Sequence, residues 1–176
     1  MGEVTQFEQT ALVMGLLCSR PEVLDNVLEI LIEKYGPIHQ LEGPFPFIFT
    51  NYYDEEMGTP IFRYFILFSN LIDPSTLVNI KHETNFIESQ FAKEEKRVIN
   101  LDPGILSAGN LILATTKNRS HRVPLHDGMY AEVTLLYKDK AFQSFDWTYA
   151  DYKSDQFKAL FKQLRSEYLK LLHAHS

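Results

Sequence analysis

The run Ala11-Leu12-Val13-Met14-Gly15-Leu16-Leu17-Cys18 is unbroken and apolar, with Gln9-Thr10 before it and Ser19-Arg20-Pro21 after it. A run of this length between polar and turn-forming residues predicts a strand buried on both faces. It is far too short to cross a bilayer, and Glu3 and Glu8 ahead of it do not suit a signal peptide. The chain has 176 residues, 45% of them hydrophobic and 23% charged, which is enough to bury a core. One domain spanning 1–176 is the expectation.

Pro21 and Glu22 open a helix whose apolar face is Leu24, Val27, Leu28, Leu31 and Tyr35, and Gly36-Pro37 ends it. Phe45–Tyr53 and Ile61–Ser69 are aromatic and rich in strand formers, which predicts two neighbouring strands joined by the polar segment Asp54–Pro60. Asp73-Pro74-Ser75 starts a second helix running to about Glu95, followed by a short strand at Val98–Asp102. The order β-α-β-β-α-β is that of ferredoxin-like domains. Gly104–Asn110 fits either a helical turn or a loop. Strands are expected at Leu111–Thr116, His121–Leu125, Met129–Tyr137 and Ala141–Phe145. A last helix, Ser154 to His173, carries the stripe Phe157, Leu160, Phe161, Leu164, Tyr168 and Leu171. The fold class is therefore α+β, its added strands mainly antiparallel.

Chemistry concentrates between Asn100 and Glu132, where Asp102, Lys117, Arg119, His121, Arg122, Asp127, Tyr130 and Glu132 crowd together beside strand-like runs. Alternation along Met129–Tyr137 puts Tyr130, Glu132, Thr134 and Leu136 on one side. Ala131, Val133, Leu135 and Tyr137 take the other, the expected core face. Glu132 then lies mid-strand on a solvated face or in a cavity, with Lys117, Arg119 and Arg122 close in sequence. On the second helix, Lys81, Thr84, Asn85 and Glu88 follow i, i+3, i+4, i+7 spacing and form a polar strip against the buried stripe. Surface pairing and a shared pocket with Glu132 both fit that strip. Asp102-Pro103-Gly104 reads as a turn. The loop Phe145–Tyr152 is either satellite core or a stacking wall for a ligand ring.

Several function classes are excluded or weakened. A net charge of -6 argues against a general nucleic-acid or anionic-membrane surface. Cys18 is the only cysteine, so there is no internal disulfide and no zinc-cysteine site. A reducing, cytoplasmic location is expected. The sequence has no P-loop, no dinucleotide fingerprint and no nucleophile elbow. His121, His126, Asp102, Asp127 and Glu132 match no metal-ligand spacing.

The phrases FTNYYDEEMG, IKHETNFIE, NLDPG, LATTK, SHRVPL, GMYAEVTL and WTYADY stand in this order. Together they resemble an uncharacterised bacterial family built on a domain of unknown function, over roughly Ala11 to Tyr168. The label GTP-binding sometimes attached to such proteins has no phosphate loop or guanine-reading motif behind it here. The resemblance adds Tyr52, Tyr53, Glu56, Met57, Gly58, Trp147 and Asp151 to the residues already singled out. Ile105 and Ala150 depart from its pattern, where Tyr and Pro are usual.

The leading expectation is a polar pocket for a small anionic ligand, a phosphorylated metabolite or nucleotide-like molecule. Lys81, Lys117 and Arg122 would hold the anion, with Thr84, Asn85, Glu88, Tyr130, Tyr52 and Glu56 around it. His121, Glu132 and Asp102 are the candidate acid/base groups, His because its ordinary pKa suits proton transfer near neutrality. Whether the protein is an enzyme stays open. Two alternatives remain: a non-catalytic interaction or structural protein with an internal ion-pair network, and a metal-dependent hydrolase using Asp102, His121 and Glu132. Cofactor and oligomeric state are not legible.

Overall fold

The computed structural model describes residues 2–175. In it the apolar run forms β1 (Thr10–Cys18), buried at every position. β1 is central: β3 (Phe62–Ile72) pairs antiparallel along one edge and β4 (Ile99–Leu106) antiparallel along the other. Its alternate residues serve two different cores. Ala11 and Val13 join the cluster under α4 (Asp155–Ala174), while Leu12, Met14 and Leu16 join the cluster under α1 (Pro21–Tyr35) and α3 (Leu77–Phe91). Covered on both faces, β1 has no position at which a polar residue would meet water.

The sheet has eight strands in the order β2-β3-β1-β4-β5-β7-β6, with β8 also pairing to β7, and every pairing is antiparallel. β2 is Ile38–Pro46, β5 Asn110–Thr115, β6 Val123–Pro124, β7 Tyr130–Lys138 and β8 Ala141–Ser144. The first four strands, ordered β2-β3-β1-β4, have the expected split β-α-β arrangement. The later strands extend the sheet past β4. The α+β class expected from the sequence is the observed one.

Local chemistry sets the helix ends. Gly36, at φ 92°, stops α1 and returns its N–H to Ile32 O. The Asp73 carboxylate accepts from Ser75 N and starts the turn Pro74–Thr76 that leads into α3. The Ser154 hydroxyl accepts from Phe157 N to cap α4.

Five expectations need correction. The second strand lies at Ile38–Pro46 rather than Phe45–Tyr53. As an outer strand it tolerates a polar, mixed sequence, whereas Phe47, Phe49 and Tyr53 pack on one another in a loop before the short helix α2 (Asp54–Met57). α3 ends at Phe91, because Glu94 and Glu95 adopt positive φ in a tight Lys93–Lys96 turn. Of His121–Leu125, only Val123 and Pro124 pair as strand.

Asp102-Pro103-Gly104 is not a turn but the middle of β4. Lastly, β7 does not alternate regularly: a bulge opposite Leu111/Ile112 skips Thr134 in the register. Leu135 therefore reaches the α4 core, yet Glu132 and Thr134 are also fully buried, while Ala131 and Val133 are only partly so.

One irregularity positions the site. β4 and β5 pair only at Gly104, Ile105 and Leu106. Before that point β5 leaves β4, next to Pro103, which has no N–H to give a ladder. The Leu101 backbone, with β1 on one side but no strand on the other, gives its N–H to Glu88 Oε1 (2.6 Å) and its carbonyl receives Lys81 Nζ (3.0 Å). Two side chains of α3 thus stand in for the missing ladder.

Where the strands do meet, they meet closely. A Cβ on Gly104 would lie 2.6 Å from Leu113 Cδ2 and 2.9 Å from Ile112 O. Gly104→Ala is expected to lower stability by about 1–3 kcal/mol in urea unfolding. Gly109→Ala, with nothing within 4 Å of the added carbon, should stay within about 0.5 kcal/mol of the wild type. Equal effects of the two would contradict the close approach.

Candidate functional site

The gap between β4 and β5 is a cavity of about 130 Å³. α3 supplies Lys81 and Asn85, β4 supplies Asn100 and Asp102, the end of β5 supplies Thr115 to Lys117, and β7 supplies Glu132. Tyr52, Tyr53 and Tyr149 close it from above. A second cavity of about 330 Å³ shares Tyr52, Tyr53, Asp102, Lys117 and Tyr149 with the first, and adds Phe47, Phe49, Arg63, Asp151 and Tyr152. The shared lining makes them two halves of one cleft, one polar and one aromatic, with Asp102 and Lys117 at the junction.

Each half rests on buried charge. In the aromatic half, Arg63 is 3% exposed. Its Nε and Nη2 bond Asp151 Oδ2 at 3.0 and 2.9 Å, and Nη1 lies 3.6 Å from Asp102 Oδ2. The guanidinium also faces the rings of Phe47, Phe65 and Tyr152. Burial is the largest single influence and works against its charge, but Asp151, Tyr152 and Asp102 together outweigh it and hold the Arg63 pKa above the ordinary value.

Beside the polar half, Arg97 binds Glu56 through two nitrogens (2.6 and 2.8 Å) and Glu88 and Asn100 through Nη1 (3.2 and 2.7 Å). Asn100 passes this on by donating to Asp102 Oδ2 at 2.8 Å. Hydrogen bonding to Arg97 lowers the Glu56 pKa, whereas burial raises that of Glu88 against the pull of Lys81.

Behind the mouth lies a third group. Glu132, 1% exposed, takes Arg122 Nε at 3.1 Å and His121 Nε2 at 2.8 Å on Oε1, and the Thr134 hydroxyl on Oε2. Arg122 continues outward, donating to Lys117 O (2.8 Å) and Tyr149 Oη (3.3 Å). His121 stacks on Trp147, with ring centres 4.8 Å apart.

Five basic side chains serve this cleft: Arg63, Lys81, Arg97, Lys117 and Arg122. Four lie within 4.0 Å of a carboxylate. Among the described residues Lys117 has none; its exposed Nζ donates to Tyr52 Oη at 3.1 Å and lies 5.0 Å from the centre of that ring. That contact lowers the Tyr52 pKa.

The family model for a domain of unknown function, DUF4416, matches residues 8–168. The chain belongs to that family. No curated protein and no solved structure matches it. Membership of DUF4416 thus covers nearly the whole sheet, and the roles of the cleft residues must be argued from their geometry.

The structure gathers the residues singled out in the sequence unevenly. Lys81, Asn85, Asp102, Lys117, Glu132 and Tyr52 line the cleft. Glu56, Glu88 and Arg122 stand behind it and hold lining residues through the bonds above. Thr84 is fully buried, its hydroxyl turned back to Lys81 O. His121 borders Glu132 but lines neither half, and Tyr130 lies beside Thr115 and Pro124 at the start of β7. His126 and Asp127 are exposed and bond each other. Among the described residues, no group of three or more His, Cys, Asp or Glu could hold a metal ion, so Asp102, His121 and Glu132 do not form such a centre. Nor is any described helix long and apolar enough to cross a membrane.

Sequence reasoning missed Arg63, Arg97 and Asn100, and named Tyr152 only as a member of the aromatic loop Phe145–Tyr152; the structure packs it in the core under α4 and on the wall of the aromatic half. Arg63 carried a signal: one full charge inside the apolar run Ile61–Ser69.

Glu132→Gln leaves Arg122 buried without a charge partner and is expected to cost roughly 3 kcal/mol in urea unfolding. A loss under about 0.5 kcal/mol would mean the pair behaves as a solvated one. Glu88 gives a pH effect. With its folded pKa raised, the folded protein holds a proton that the unfolded chain has already released, so stability is lost as pH rises through that interval. Unfolding measured between about pH 4 and 7 should show Glu88→Gln gaining on the wild type as pH rises. Parallel curves would refute the raised pKa.

Proposed function

We propose that this protein binds a small organic anion in the β4–β5 cleft, with the anionic group at Lys117 and the rest of the molecule against the aromatic half. The observation that carries this reading is the pairing of Lys117. An incoming phosphate or carboxylate would meet an exposed ammonium that needs no carboxylate displaced, held by a phenol at the junction of both halves. Lys81, bonded to a carbonyl and 3.8 Å from Asp102, is the next cation inward. Arg122 serves by fixing Lys117 and Tyr149 from behind rather than by touching the anion. Asp102 faces both halves and is the best placed carboxylate for acid/base chemistry on a bound molecule. A cytoplasmic location accords with one cysteine, Cys18, buried and unpaired.

One observation favours a second reading, a structural protein. Arg63, Arg97 and Arg122 each lie against a carboxylate of the protein itself, and five carboxylates (Asp102, Asp151, Glu56, Glu88 and Glu132) stand among the five basic side chains. The two readings part at Lys117. In a thermal-shift screen with inorganic phosphate, nucleoside monophosphates, sugar phosphates and dicarboxylates, at least one probe at 100 Kd should stabilise the wild type by about 2.7 kcal/mol. That is roughly 5–10 °C for a domain of this size. Lys117→Met should abolish the shift while leaving the Tm of the free protein within about 2 °C. No shift with any probe would leave the structural reading standing.

A further inference from the structure

The Asn85 amide and Asp102 Oδ1 belong to the lining of the polar half, and neither has a hydrogen-bond partner among the described residues. Asp102 Oδ2 takes Asn100 Nδ2 at 2.8 Å and lies 3.6 Å from Arg63 Nη1. Oδ1 has only Lys81 Nζ, which at 3.8 Å is beyond hydrogen-bond reach. Among the described residues, the fully buried side-chain atoms without a partner are Arg63 Nη1 and Tyr152 Oη. The Asn85 amide and Asp102 Oδ1 are therefore accessible to an incoming atom. Asn85 is half-buried on α3, one turn after Lys81, which sets it beside the Lys81–Asp102 pair.

Charge and hydrogen-bonding capacity restrict what enters there. A second anion would meet the Asp102 carboxylate, and a cation would meet Lys81. The entering group is thus uncharged. A hydroxyl both donates and accepts. One oxygen about 2.8 Å from each atom spans the gap, donating to Asp102 Oδ1 and accepting from Lys81 Nζ, whose other recorded hydrogen bond is to Leu101 O. An ether or ketone oxygen in the same place would leave Oδ1 without a donor. The Asn85 amide, donor and acceptor at once, suits a second hydroxyl.

We infer that the polar half of the cleft is a subsite for hydroxyl groups, so that the ligand is an anion of the sugar-phosphate or polyol-phosphate class. Its hydroxyls turn toward Asp102, Lys81 and Asn85. This rests on the anion site proposed at Lys117, which lines the same half, and adds what the carbon chain next to the anion carries.

Glycerol 3-phosphate and n-propyl phosphate share a skeleton and differ in two hydroxyls, which makes them the direct probes. Contact of the bare chain with the aromatic half favours the propyl ester, so a preference for the glycerol ester reads the hydroxyls alone. Calorimetry on the full chain should give roughly tenfold tighter binding of glycerol 3-phosphate, one good hydrogen bond in magnitude. Asn85→Ala should cut that preference while leaving the Tm of the free protein within about 2 °C, since the amide has no partner to lose. Lys117→Met should weaken both esters alike, which reads the anion site separately. Equal or reversed wild-type affinities, a preference that survives Asn85→Ala, or binding of inorganic phosphate with neither ester would overturn the subsite and leave the anion site intact. Absence of binding by both esters and by inorganic phosphate would overturn the subsite together with the anion site.

Discussion

β4 has a strand on each side for only three residue pairs with β5, and the stretch from Ile99 to Pro103 must satisfy its outer backbone without one. A buried peptide group left unpaired costs as much as a lost hydrogen bond. Here the cost is offset by α3, whose Lys81 and Glu88 reach the Leu101 carbonyl and amide. Most of the charge placement follows. Glu88 inside the protein needs a cation and receives Arg97, and Arg97 in turn fixes Glu56 and Asn100. Lys81 needs a nearby carboxylate and has Asp102. The polar half of the cleft is the outcome of closing one open sheet edge with side chains.

The aromatic half is built differently. There the sheet is intact, and the polar element is Arg63 projecting from β3 among rings. Asp151 neutralises it from the segment before α4, and Asp102 ties it to the polar half. The two halves share one carboxylate, Asp102, and one ammonium, Lys117, which is held by the Tyr52 hydroxyl rather than by a carboxylate.

Elements whose stability comes from periodic apolar burial were legible in the sequence: β1, α1, β3 and α4 fall within a few residues of their expected places. Elements that depend on neighbours were not. β2 is an outer strand with the mixed sequence Ile38–Pro46, whereas the aromatic stretch after it packs as a loop. Asp102-Pro103-Gly104 has the composition of a turn, yet Gly104 lets β5 approach and Pro103 lies where β5 departs, both tertiary facts. For the site, the Lys81–Glu88 strip and Glu132 were visible as polar residues beside apolar ones. Their purposes were hidden, because an open strand edge leaves no mark in a single sequence. Arg97 fell between the expected second helix and the strand Val98–Asp102, and Asn100 inside that strand, where neither showed a partner in the sequence.

The bulge in β7 separates two kinds of inheritance in this fold. Up to Glu132 the strand faces its polar residues inward to Arg122 and His121; from Leu135 onward it faces apolar residues inward to α4. The extra residue at Thr134 absorbs the phase difference. Removing it would keep Leu135 toward α4 and Glu132 toward Arg122, because the two would then stand two positions apart in a regular strand, and would take away only the Thr134 hydroxyl on Glu132 Oε2 and the Thr134 carbonyl that receives the Thr148 hydroxyl. The bulge is thus the place in β7 where a codon can be lost while the braced mouth and the α4 core both keep their face of the sheet.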